Sequence, residues 1–224
     1  MSKIIGVDAA KLAGLQIDQL QKLRNGEMTV QHMEWFNNLA KEDRDNLLAG
    51  IGFERQDTRF SLVSTFELTV PVNYVHATCL ASFAKRNRKN FYYYNDAITD
   101  KNFSKATNEL VPGRKFAAKI FQINKRVKSE DCLTFLKKQN AVLVGAQGAS
   151  LAYELAKEKL PIGKWSVSFD EKEALWQDSD GYLRVPFLCR DSDGDWHFHL
   201  GHFENAWGDD SCLLCFCDFP PEAD

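Results

Sequence analysis

At Phe60 the apolar pattern of this chain switches from helical spacing to strict alternation, and that switch divides it in two. Before it, Ile17, Leu20 and Leu23 recur at helical spacing, Gly26 ends the run, and Thr29 is placed to cap a second helix whose stripe is Met33, Phe36 and Leu39. Lys41–Leu48 predicts a third, short helix closed by Gly50. After the switch, Phe60, Leu62, Ser64, Phe66, Leu68 and Val70 alternate with Ser61, Val63, Thr65, Glu67 and Thr69, a strand stopped by Pro71. The chain therefore reads as a helical N-terminal segment over residues 1–56 and an α+β domain over residues 57–224.

Within the second part, Val75–Ala84 has a helical apolar side, and Lys115–Val127 is strand-like. Ser129–Lys138 opens on a cap residue, carries Glu130 and Asp131 in its first turn and ends on two lysines, as the helix dipole favours. A short buried strand at Ala141–Val144, a helix over Ala149–Lys157 and a strand at Trp165–Phe169 complete a mixed central β-α-β-α-β region. Tyr182–Cys189, Trp196–Phe203 and Leu213–Phe219 then predict a C-terminal antiparallel β meander within the acidic region 165–224. Asp178-Ser-Asp-Gly181 and Asp191-Ser-Asp-Gly194 repeat one turn tetrapeptide.

With 44% hydrophobic and 26% charged residues over 224 positions, the chain can build a core. Charge interrupts the N-terminus before a signal-peptide core could form, and no stretch has the length of an apolar membrane span, so a cytoplasmic protein with no membrane partner is expected. The six cysteines are then reduced thiols in a core, or metal ligands.

Net charge is −3, but its distribution is uneven: residues 85–128 hold 12 Lys/Arg against 3 Asp/Glu, and residues 165–224 hold 3 against 14. Such blocks either neutralise one another or give the molecule one face suited to phosphate. The decapeptide Lys85–Tyr94 sets Lys85, Arg86, Arg88 and Lys89 beside Phe91, Tyr92, Tyr93 and Tyr94. Cations attract phosphates and aromatic faces stack bases, so this is the composition of a single-stranded nucleic-acid surface, although it matches no named module. A solvated helix end followed by a core-facing aromatic strand has the same composition.

Three other groups carry candidate chemistry. His197, His199 and His202 with Cys212, Cys215 and Cys217 are a mixed donor set suited to zinc if their strands are neighbours; buried thiols in apolar strands are the alternative. Gly145, Gln147, Gly148 and Ser150 lie between a strand and a helix, where backbone amides can receive phosphate, but the glycine pattern is incomplete. Asp191–Asp195 has alternate carboxylates, yet Trp196 and His202 stand where a calcium-binding loop needs Gly and Glu. No hydrolase or metalloprotease motif is present.

Val111-Pro-Gly-Arg114, Ser129-Glu-Asp-Cys132, Ala141–Gly148, Ser168-Phe-Asp-Glu-Lys172 and Leu213–Asp218 resemble uncharacterised proteins of reduced-genome candidate-phylum bacteria. The resemblance spans about the C-terminal half and implies a bacterial cytoplasmic origin; it brings no activity and no site residues. The function expected from the residues is non-enzymatic binding of RNA or single-stranded DNA, with another protein as the other partner class. The alternatives are a metal-binding protein or enzyme built on the His/Cys strands, and a self-associating structural protein.

Overall fold

The computed structural model describes residues 7–41, 43–44 and 57–219, in two compact units that divide after residue 56. In the first unit, helix α1 (Val7–Arg24) carries Lys22 and Arg24 in its last turn and is followed by Gly26 at φ +76°. Thr29 caps helix α2 (Val30–Asn38): its Oγ1 accepts from the His32 amide at 3.2 Å, and His32 Nδ1 accepts from the Thr29 amide at 3.3 Å. A histidine thus fills the role that Glu or Gln plays in most reciprocal caps. The expected third helix begins with the Arg44 amide bonding Ala40 O, and its remainder lies outside the described residues.

The second unit is α+β, as the alternating and helical patterns predict. Its strands are β1 (Phe60–Thr69), β2 (Phe91–Tyr94), β3 (Lys115–Ile123), β4 (Val127–Lys128), β5 (Ala141–Val142), β6 (Trp165–Val167), β7 (Trp176–Gln177), β8 (Leu183–Arg190), β9 (Trp196–His202), β10 (Ala206–Trp207) and β11 (Ser211–Asp218). Helices α3 (Cys79–Asn87), α4 (Ser129–Lys138) and α5 (Gly145–Ala156) pack on them.

Nine of these strands form one sheet, in the order β1-β3-β11-β6-β8-β9-β2, with β5 beside β11 and β7 beside β8. Most pairs are antiparallel; β11 with β6 and β9 with β2 are parallel. The hairpin β8–β9 matches the expected meander, but the chain then leaves it. Strand β11 crosses to the middle of the sheet, where seven of its eight residues are buried. Its apolar run, Cys212 to Cys217, is what a strand covered on both faces requires.

Each face carries its own core. Cys212, Leu214 and Phe216 point to the first face, where α3 and α5 pack through Leu80, Phe83, Ala149, Ala152 and Tyr153. Leu213, Cys215 and Cys217 point to the second, where α4 packs through Cys132, Leu133, Phe135 and Leu136. The Phe135 ring stacks on Phe60 at 4.0 Å and meets Phe121 edge-on at 4.9 Å. The clustered Gly and Ala residues of α5 let it lie close to the sheet: a Cβ on Gly148 would come within 2.3 Å of Val144 Cγ2 and 3.0 Å of Phe216. No helix among the described residues is long and apolar enough to cross a membrane.

Candidate functional site

The decapeptide Lys85–Tyr94 does not act as one surface, because it spans the end of α3, a 3-10 turn at Arg88–Asn90 and the edge strand β2. Arg86 donates from Nε and Nη2 to Glu154 Oε1 at 3.0 and 2.7 Å, and Asn87 donates to the same oxygen at 2.7 Å. Arg88 pairs with Asp96 at 2.5 Å and lies over the Tyr94 ring. Tyr94 is turned inward, 8% exposed, against Phe83, Phe91 and Phe198, so it offers no ring to a ligand. Lys85 and Lys89 are exposed and make no ion pair among the described residues.

Tyr92 and Tyr93 go the other way. The β2–β9 pairing is irregular between Phe91 and Tyr93, and both tyrosines reach the imidazoles on the second face of β9. Tyr93 stacks on His199 at 4.3 Å and 17°, His199 on Phe187 at 5.3 Å and 19°, and Phe187 on Trp165 at 4.9 Å and 15°. Four neighbouring strands, β2, β9, β8 and β6, thus contribute one ring each to a continuous row. Tyr92 and His197 flank it, with centroids 5.4 Å apart. The ends of the row are open: Tyr92 is 78%, Tyr93 42% and Trp165 39% exposed. Its middle is closed: Phe187 and Trp207 are buried, and Trp207 fits over Gly201 because a Cβ there would sit 2.8 Å from the indole.

The row is electrostatically mixed. His197 Nε2 meets Asp191 Oδ2 at 3.1 Å, and burial, then the neighbouring His197, holds the His199 imidazole below its ordinary value. Beyond Trp165 lies a cleft of about 670 Å³ lined by Lys125, Arg126, Trp207, Asp209 and Asp210. Strands β2 and β9 start together, with Phe91 opposite Trp196, so the basic turn Arg88–Asn90 and the acidic turn Asp191–Asp195 emerge at one end of the sheet. No ion pair joins those turns among the described residues.

No family model, curated protein or solved structure matches the chain.

Cys189 lies opposite His197 across the β8–β9 pairing, and His197 holds Asp191, which places a thiol, an imidazole and a carboxylate in sequence. This is not an activated nucleophile. Burial, then Asp191 and Asp210, pushes the Cys189 thiol upward, and no hydrogen bond links it to His197.

The six expected metal ligands do not come together. Strands β6 and β8 separate β11 from β9, so the cysteines and histidines lie on strands that are not neighbours. Cys212 faces the first core and donates to Gln122 Oε1 at 3.4 Å, whereas Cys215 and Cys217 face the second. His202 packs edge-on against Tyr182 at 4.7 Å. Among the described residues no group of three or more His, Cys, Asp or Glu side chains is placed to hold a metal ion.

The expected phosphate loop is likewise corrected. Gly145 to Ser150 form the first turns of α5 and are buried. The position an anion would take is filled from within by Asp170, whose Oδ2 lies 1.8 Å from where a Gly145 Cβ would be, and whose Oδ1 accepts from the Thr107 amide at 2.9 Å. Gln147 Nε2 donates to Phe103 O, and Ser150 Oγ to Gln147 O, both at 2.8 Å. Asp170 thus fills the space beside the α5 N-terminus, and burial pushes its carboxyl upward.

The two Asp-Ser-Asp-Gly repeats do the same structural work. Asp191 Oδ1 accepts from the amides of Asp193 and Asp195, and Asp178 Oδ1 from those of Asp180 and Tyr182. Each closes its turn through the side chain, with Gly181 and Gly194 at positive φ.

Proposed function

We propose that the chain is a non-enzymatic binding protein that takes single-stranded nucleic acid along the row of rings on the second face of its sheet, between the exposed ends at Tyr92 and Trp165. The observation that carries this reading is the aromatic row Tyr93–His199–Phe187–Trp165, exposed at both ends on a sheet face. Rings inside the row cover one another, so bases stack at its ends, on Tyr92 or Tyr93 and on Trp165, and run over the ring edges between them. Three inter-strand steps separate the ends, about 14 Å. Phosphates are met by Lys89, in the turn that leads into β2, at one end and by Lys125 and Arg126 beside Trp165 at the other. Single strands fit such a surface better than duplex, whose bases are already stacked.

Arg86, Arg88 and Tyr94, part of the composition that first suggested nucleic acid, are outside this site. Fluorescence anisotropy with labelled single-stranded RNA and DNA tests the reading: Tyr92→Ala with Trp165→Ala weakens binding, and Arg86→Gln leaves it unchanged. Equal affinity for the aromatic variant and the parent protein contradicts it.

A further inference from the structure

Strand β11 places two thiols side by side with a cation next to them. Cys215 and Cys217 project to the same face, and their sulfurs lie 3.6 Å apart. Lys119 is the register partner of Cys215 on β3, so its side chain leaves the sheet on the same side. The Cys217 thiol also donates to Gln139 O at 3.3 Å, and at 9% exposure it is the more open of the pair, with Cys215 at 1%. The hydrogen bond from the Cys215 thiol draws Cys217 downward, with Lys119 acting in the same direction, while Cys215 is driven up. Of the two sulfurs, the outer one, Cys217, is therefore the one that loses its proton more readily to give a thiolate anion. Lys119 disfavours a bound metal cation here and favours that anion.

We infer that Cys215 and Cys217 form an oxidisable dithiol, a modification site at which a hydroperoxide converts the pair to a reversible disulfide within the central strand. The Cys217 thiolate attacks one peroxide oxygen; the S–O bond forms, the O–O bond breaks, and hydroxide or alkoxide leaves and takes a proton from water. Cys217 is then a sulfenic acid, oxidised by two electrons as the peroxide is reduced. The Cys215 sulfur gives up its proton and attacks the sulfenic sulfur; the S–S bond forms, the S–O bond breaks, and water departs. Residues two apart on a strand have Cα atoms about 6.6 Å apart, near the upper end of what a disulfide spans. Closing the bridge therefore strains β11, and thiol reductants reopen it.

The other cysteines are worse placed. Cys79, Cys132 and Cys212 are buried, with their thiols pushed up by burial. Cys189 is more accessible but lies against Asp191 and Asp210, which also push it up.

Intact-mass measurement of the full chain after brief treatment with hydrogen peroxide tests the inference. The expected result is loss of two hydrogens, recovered on adding dithiothreitol, with peptide mapping placing the bridge between Cys215 and Cys217. Cys215→Ser is expected to gain one oxygen at Cys217 that a 1,3-diketone probe captures. Should that variant fail to fold, the same mapping on Cys217→Ser, in which Cys215 stays unmodified, serves instead. Parent protein that keeps all six thiols, or whose first oxidation falls on Cys189, overturns the inference.

Discussion

The imidazole of His199 lies face to face with the ring of Tyr93, 4.3 Å between centroids and 17° between planes, at the junction between the edge strand and the body of the sheet. His199 also stacks on Phe187, so it is the link through which an exposed tyrosine is held against the core. Stacking of this kind contributes about 0.5–1.5 kcal/mol beyond area burial. Tyr93→Ala is expected to lower stability by about 1 kcal/mol, read as a shift in the urea midpoint, while leaving the rest of the fold intact. A loss as large as that of a core phenylalanine would mean that Tyr93 is not a surface ring.

Acid should act through the same histidine. Burial lowers the folded-state pKa of His199, so between its folded and unfolded values the unfolded chain binds more protons, and stability falls as pH drops through about 6.5. His76 shifts in the same direction, again by burial, and adds to the effect. Thermal melts at neutral and mildly acidic pH should show the loss in the parent protein and a smaller loss in His199→Phe. An unchanged pH dependence in that variant contradicts the assignment.

Gly145 is fixed by two constraints at once: a φ of +40° and the Asp170 carboxylate where its Cβ would be. Gly145→Ala is expected to cost about 3 kcal/mol or more, from backbone strain together with displacement of a buried carboxylate. Adding Asp170→Ala should restore the space but not the backbone, so the two substitutions combine non-additively in a double-mutant cycle. Simple additivity would show that the close approach is not a constraint.

In the N-terminal unit, Thr29→Ala removes the side-chain half of the cap and is expected to weaken α2 by about 1 kcal/mol. Far-UV circular dichroism of the full chain should register a small loss of helix signal relative to the parent protein. A helix signal equal to the parent's contradicts the capping role of Thr29.

Much of the architecture could be read from the chain because local chemistry and long-range packing agree there. Ser129–Lys138 has a helical stripe with its charges ordered along the dipole and forms α4 over those residues, but Ser129 does not cap it: its Oγ accepts from the Trp207 indole at 2.8 Å. Leu213–Phe219 reads as a strand and forms one over Ser211–Asp218, but in the middle of the sheet instead of at the end of a meander. The start of α5 is hidden in the sequence because Gly145-Ala-Gln-Gly has the composition of a loop; in the fold its small residues serve close packing on the sheet. The His/Cys set is kept apart for a topological reason: β9 and β11 follow closely in sequence, but β6 and β8 lie between them in the sheet. Of the candidate site, Tyr92 and Tyr93 could be found from composition. Trp165 and Phe187 could not, because only the order β6-β8-β9-β2 makes them neighbours of the tyrosines. Arg86 and Arg88 misled because Glu154 and Asp96, their partners, are far from obvious in the sequence.

The central claim is tested most directly by a salt titration of single-stranded RNA binding to the full chain, repeated for Tyr92→Ala/Tyr93→Ala/Trp165→Ala. With about three phosphates neutralised, log K should fall against log salt with a slope of about −2. The triple variant should retain that slope while losing about 1–3 kcal/mol per stacked base, a drop of tenfold or more. No binding at low salt, or a triple variant that binds as the parent does, contradicts the account.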